Sequence, residues 1–106
     1  MSTHIFVVTT FSTRDEAEAA AADLVDRRLV ACAQVAGPVL SVYRWQGETE
    51  RNDEYTLTLK TRADRYPAVE AALYELHSYD VPEIVALPLV AGHADYLKWI
   101  DENVAG

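Results

Sequence analysis

From His4 to Phe11 the chain is apolar and β-branched with little polar alternation, a pattern that predicts a short strand buried on both faces. Polar punctuation follows, with Thr13 and Glu16 at capping-box spacing. Ala17, Ala20, Ala21, Leu24 and Val25 then fall at the i, i+3, i+4, i+7, i+8 rhythm of one helical face. The spacing predicts a helix to about Arg28, with Arg27 and Arg28 in its last turn, where cations complement the negative end of the dipole. From Leu29 the pattern becomes β-like. Gly37-Pro38 interrupts it and Gln46-Gly47 predicts a turn after Trp45. Beyond an acidic tip, Tyr55, Leu57 and Leu59 alternate with Thr56, Thr58 and Lys60, so two strands close a hairpin. Asp64 is placed to cap a second helix that Pro67 enters in its first turn, with Val69, Ala72, Leu73 and Leu76 on its buried face. A fourth, buried strand is expected over Ile84 to Val90. After Gly92, Tyr96, Leu97, Ile100 and Val104 form the apolar stripe of a last helix.

The order β-α-β-β-α-β predicts an α+β, ferredoxin-like fold: an antiparallel sheet with two helices on one face, followed here by an extra C-terminal helix. At 106 residues and 50% hydrophobic content the chain makes one domain, 1–106, large enough to bury a core. The hairpin is long for such a body. Its arm from Ala31 to Trp45 reaches about 50 Å if straight, at roughly 3.3 Å per residue. A compact domain of this length has a radius of gyration near 13 Å and is about 33 Å across. The hairpin is therefore expected to overhang, carrying Tyr43, Arg44 and Trp45 away from their own core, and an overhanging strand pair has open edges that self-association would close.

Seventeen acidic against nine basic side chains give a formal charge of -8, which repels phosphate backbones, excludes nucleic acid as a natural partner and favours cations. A single cysteine cannot make an internal disulfide, and the N-terminal apolar stretch, Ile5 to Val8, is too short for a secretory leader. No segment approaches the ~20 apolar residues of a membrane span. A cytoplasmic protein without membrane contact is expected.

The polar groups that could carry chemistry gather where the second helix must end. His77, Tyr79, Asp80 and Glu83 place an imidazole, a phenol and two carboxylates within seven positions, at a bend stiffened by Pro82. Imidazole with carboxylate suits zinc or copper. The competing reading makes His77 a helix-end residue that binds free carbonyls, with Tyr79 anchoring the bend by its ring. Cys32 is open to two readings as well: a thiolate that takes copper, or a small buried hydrophobe in an apolar strand. Lys60, a cation on an alternating strand, pairs with Glu83 or a neighbour's carboxylate, binds an anionic ligand, or faces solvent. His4 and His93 read as exposed terminal and turn residues. There is no glycine-rich phosphate loop, nucleophile elbow, zincin helix or Cys-x-x-Cys pair, so no catalytic residue is assigned and an enzyme is not expected. With an apolar core and no closed set of four strong ligands, the chain is expected to fold without metal.

The run from His77 to Pro88, taken with Cys32, the stretch from Tyr43 to Gly47, Lys60 and Asp95 to Ile100, closely resembles the CutA family of small divalent-cation-tolerance proteins over nearly the whole chain. Two positions depart from the family pattern: Gln34 stands where Asn is common and Ser78 where Pro is usual. The resemblance implies the same fold and a homotrimer in which hairpins extend the sheets of neighbours. It implies a role in divalent-cation tolerance or response to metal ions, with a weakly held divalent cation such as copper or a small ligand at clefts between subunits. Cys32, His77 and Glu83 are then the candidate metal ligands, and Tyr43, Trp45, Lys60 and Tyr79 the candidate ligand-binding residues. The alternative is a metabolite-sensing module resembling the PII regulators with no physiological metal, although only four glycines and few basic residues argue against nucleotide-binding loops.

Overall fold

The computed structural model describes residues 3–106. Its elements are β1 (His4–Phe11), α1 (Arg14–Asp26), β2 (Cys32–Trp45), β3 (Glu48–Arg62), α2 (Tyr66–Leu76), β4 (Ile84–Pro88) and α3 (Ala94–Asn103). The strands form one antiparallel sheet in the order β2-β3-β1-β4, the ferredoxin-like arrangement with the first strand inside. Val7, Leu57 and Leu59 on the sheet and Ala17, Leu24, Val69 and Leu73 on α1 and α2 are fully buried and belong to one core, closed at its end by Phe11. Each such Val or Leu side chain stabilises the fold by about 1.5–3 kcal/mol when removed from water.

Local chemistry sets the boundaries. At the start of α1 the Thr13 hydroxyl accepts from the Glu16 amide at 3.2 Å, and the Glu16 carboxylate accepts from the Ser12 and Thr13 hydroxyls at 2.9 and 3.1 Å, completing the capping box. The helix ends at Asp26, short of Arg28. Arg28 has turned to φ 56 and no longer supports the last turn, while Arg27 donates to Asp23 at 3.1 Å. Val25, still within the helix, is exposed, off the buried stripe of Ala17, Ala20 and Leu24. Asp64 does not cap α2. It lies in a short 3-10 turn, Ala63–Arg65, and accepts from Arg62 at 3.0 Å, with Arg65 at the N-cap position and Pro67 in the first turn. Leu76, at the end of α2, is exposed as well.

β4 departs most from expectation. It stops at Pro88 rather than Val90 and is an edge strand whose Val85 and Leu87 are 48% and 49% exposed, not a buried one. An apolar run signals that a strand wants cover on both faces, and within this chain that cover is missing. The last helix, α3, borders the sheet face opposite α1 and α2, with Ile100 and Val104 buried. His4, expected to be exposed, is mostly covered there, its Nε2 lying 2.8 Å from Asp101 Oδ1. The Ala105 amide donates to the Arg28 carbonyl at 2.8 Å and fixes the chain end.

The hairpin overhangs as its length demands. β1 pairs with β3 only as far as Phe11 opposite Tyr55, so from Val39 and Glu54 outward β2 and β3 pair with each other alone, to Trp45 opposite Glu48. Gln46 and Gly47 close the turn at φ 51 and φ 80, the left-handed region that a tight hairpin needs. The domain measures 44 × 26 × 22 Å, longer than a compact body of its size. The register shifts between Ala36 and Val39, where Gly37 at φ 150 makes a bulge. A side chain there would come within 2.8 Å of Tyr55 Cδ2 and 2.9 Å of the Glu54 carbonyl oxygen, so only glycine fits.

Candidate functional site

The overhanging hairpin and the bend between α2 and β4 are the two walls of a cleft of about 480 Å³. Ser41, Val42, Tyr43, Trp45 and Glu54 come from the hairpin; Tyr79, Asp80, Val81 and Glu83 come from the bend; Thr10, at the end of β1, forms the floor. One hydrogen bond ties the walls together, the Tyr79 hydroxyl donating to Glu54 Oε2 at 2.8 Å. Burial and the adjacent Glu54 carboxylate push the Tyr79 phenol far above its ordinary range, so it remains a donor at any physiological pH. On the outer wall, Tyr43 Oη accepts from Asn52 Nδ2 across the hairpin.

His77 sits behind this surface. Its ring stacks on Phe11 with centroids 4.2 Å apart and planes 7° from parallel, and Tyr79 leans on it at 5.0 Å. Nε2 shares a 3.0 Å hydrogen bond with the buried Thr9 hydroxyl, and buried Nδ1 has no partner. Burial lowers the His77 pKa against the partial opposition of the Glu16 charge, so the imidazole is neutral at pH 7. Glu16 reaches the same bend, accepting from the Ser78 hydroxyl at 2.9 Å. Burial works upward on Glu16, but the hydroxyls of Ser12, Ser78 and Thr13 outweigh it and hold the carboxyl below its ordinary range. Ser78, which departs from the proline pattern, thus ties the bend to the start of α1 by a side-chain bond.

Of the residues singled out in the sequence, Tyr43, Trp45, Tyr79 and Glu83 meet in the cleft. His77 supports it from behind through Tyr79 and does not bind helix-end carbonyls. Cys32 and Lys60 lie elsewhere, opposite one another on β2 and β3. Lys60 is four residues along β3 from Thr56, the partner of floor residue Thr10, or roughly 13 Å away at strand spacing. Its ammonium rests 5.3 Å from the Phe6 ring centroid and 5.8 Å from that of Tyr96, so it pairs with aromatic faces and not with Glu83. Cys32 is half-buried and free.

Within the chain, Cys32, His77 and Glu83 do not assemble as a metal site. Among the described residues no three His, Cys, Asp or Glu side chains are placed to hold a metal ion. Glu54, absent from the sequence-based set, contributes to the cleft beside Asp80, which the polar bend had already brought out. Glu54 immediately precedes the alternating run that begins at Tyr55 and has the parity of Thr56 and Thr58, so alternation gives its side of the strand, but its partner there, Tyr79, comes from a bend distant in sequence and is not visible in a hydrophobic pattern.

A ferredoxin-like domain whose overhanging hairpin walls an acidic, aromatic cleft is the class of protein that this geometry defines. The sequence profile described as "CutA1 divalent ion tolerance protein" matches residues 5–103, and the chain belongs to this family. A divalent-cation tolerance protein CutA of Thermus thermophilus is 40% identical over 97 residues, 92% of this chain and 94% of that protein. The crystal structure of CutA1 from the psychrotrophic bacterium Shewanella sp. SIB1 superposes with a TM-score of 0.96 at 32% identity, covering 99% of this chain and 98% of that one. The structure described as the periplasmic divalent cation tolerance protein CutA of Archaeoglobus fulgidus gives a TM-score of 0.93 at 34% identity, over 96% of this chain and 99% of that one.

Proposed function

We propose that this protein is a cytoplasmic, non-catalytic homotrimer that serves tolerance of divalent cations, copper among them, by holding a metal ion or small ligand in clefts at its subunit boundaries. The observation that carries this reading is the overhang: the hairpin segment that forms the outer cleft wall also has unpaired edges and exposed Val39, Leu40, Val42 and Trp45. Three copies close a ring through such edges, and the cleft then lies where subunits meet. A bound metal ion would draw donors from more than one protomer, since no single chain groups them among its described residues. No helix among the described residues is long and apolar enough to cross a membrane.

Sedimentation equilibrium with parallel copper(II) titration tests the reading. It predicts three times the 11.8 kDa protomer mass, and weaker copper binding in His77→Ala and Glu83→Gln at unchanged mass. A monomer across micromolar concentrations would overturn the assembly; dissociation of both variants with per-subunit binding intact would make the bend architectural. A second reading, metabolite sensing without a physiological metal, is favoured by the size of the cleft, which suits a small organic molecule better than a bare ion.

A further inference from the structure

The bend that carries Tyr79 and Glu83 into the cleft has little backbone support of its own. Among the described residues, no backbone–backbone hydrogen bond outside the helices and strands reaches 78–83, and Pro82 has no amide to donate. Side chains therefore fix it. Tyr79 reaches forward to Glu54 on the hairpin, His77 is held behind by Phe11 and Thr9, and Ser78, between them, donates its hydroxyl to Glu16 Oε2 at 2.9 Å. The two oxygens of Glu16 have separate partners: Oε1 accepts from Ser12 and Thr13, which start its own helix, and Oε2 accepts from Ser78, 62 residues away. α1 is a firm base for such a grip, since Ala17, Ala20 and Leu24 are buried beneath it. Its first turn holds the hairpin as well. Arg14 Nη2 donates to the Gly37 carbonyl at 3.1 Å, and the guanidinium carbon lies 5.2 Å from the Tyr55 ring centroid. Gly37 is where β2 and β3 change register, at the root of the overhang.

The first turn of α1 is thus a common reference for the root of one wall and the middle of the other. We propose that Glu16 is a positioning residue of the ligand site: it acts through Ser78 to hold the bend, and with it Tyr79 and Glu83, at a fixed separation from the hairpin gripped by Arg14. That role rests on the cleft being the ligand site and on no residue of a neighbouring copy. Its bonds lie within one chain, and the hairpin is gripped at Gly37, inboard of the segment from Val39 outward that the trimer reading places against neighbours. A carboxylate suits the task, because it accepts at two oxygens at once and its charge strengthens each bond. Ser78 is exposed, so loss of its hydroxyl loosens the bend without opening the core.

Backbone amide NMR relaxation on the full chain, with copper(II) titrated into the same samples, tests the proposal. In the wild type the amides of Tyr79, Asp80 and Val81 should have order parameters near about 0.85, the value of rigid backbone. Ser78→Ala should move them toward about 0.6, the flexible range, and weaken copper(II) by about fivefold, at unchanged mass and Tm. Ser78→Thr, which keeps the hydroxyl, should restore both. Glu16→Ala should loosen the bend equally while also lowering Tm through loss of the capping box, and adding Ser78→Ala to it should loosen the bend no further, since both act through one bond. Order parameters unchanged in Ser78→Ala overturn the proposal, as does a double variant looser than either single one. So does a loosened bend with full copper(II) affinity, where the wild type binds the metal. If the wild type binds no copper(II), the metal reading of the cleft fails separately, and the order parameters alone decide whether Glu16 positions the bend.

Discussion

Replacing Tyr79 with Phe removes one oxygen and leaves the ring on His77, so the substitution isolates the hydrogen bond that joins the two walls of the cleft. That bond is 2.8 Å long, half-buried and directed at a carboxylate. A hydrogen bond to a charged group contributes about 1.5–3 kcal/mol net, and the lower end applies because Glu54 is partly exposed and water replaces the lost donor. A destabilisation of about 1.5 kcal/mol corresponds to roughly 6 °C in Tm for a domain of this length. Urea unfolding at fixed protomer concentration provides the measurement, with Tyr79→Phe, Glu54→Ala and the double variant forming a cycle. A coupling energy of about 1 kcal/mol or more is expected. Additivity within about 0.3 kcal/mol would refute the bond as the tie between walls, since independent sites add to that tolerance.

Gly37→Ala should destabilise by about 2–3 kcal/mol in the same urea assay, because the new Cβ meets the Glu54 carbonyl oxygen at 2.9 Å and the residue keeps a left-handed φ of 150; an unchanged midpoint would mean the bulge can relax. His77 should impose a pH dependence. With its folded pKa below the ordinary 6.5, unfolding takes up a proton in that window, so stability is complete above the ordinary histidine value and falls as pH drops through it toward the folded value. Urea midpoints measured across that range in the wild type and in His77→Gln check this, and an equal slope in both would assign it elsewhere. Chelators should leave Tm nearly unchanged, since the core includes no metal donor set among the described residues; a fall of many degrees would reveal a structural ion.

The fold was legible where side-chain periodicity alone decides it. Leu57 and Leu59 face inward because a strand alternates, and Thr13 with Glu16 start a helix because a capping box is a local device. Boundaries set by competition were not. Asp64 has the right chemistry for a cap, yet the guanidinium of Arg62 two residues away takes its carboxylate first. Val85 and Leu87 are apolar and read as buried, but hydrophobicity says only that a residue seeks cover, not which chain provides it. In the site, Tyr79 and Glu83 were legible from the polar bend, and Tyr43 and Trp45 from large side chains stranded on an overhanging arm. Glu54 was not, because alternation gives only its side of the strand and not its partner, Tyr79, which comes from a bend 25 residues away. Cys32 and Lys60 are neighbours across β2 and β3, a pairing that depends on register and is invisible along the chain.

The cleft between hairpin and bend is proposed to hold this protein's ligand at the boundary of a trimer. Native mass spectrometry of the protein purified from its own host addresses both parts in one spectrum. Three protomers of 11.8 kDa with added ligand mass are expected, and loss of that added mass, with the trimer retained, in a variant carrying Asp80→Asn and Glu83→Gln. A bare monomer, or a ligand kept at full occupancy by the double variant, would contradict it.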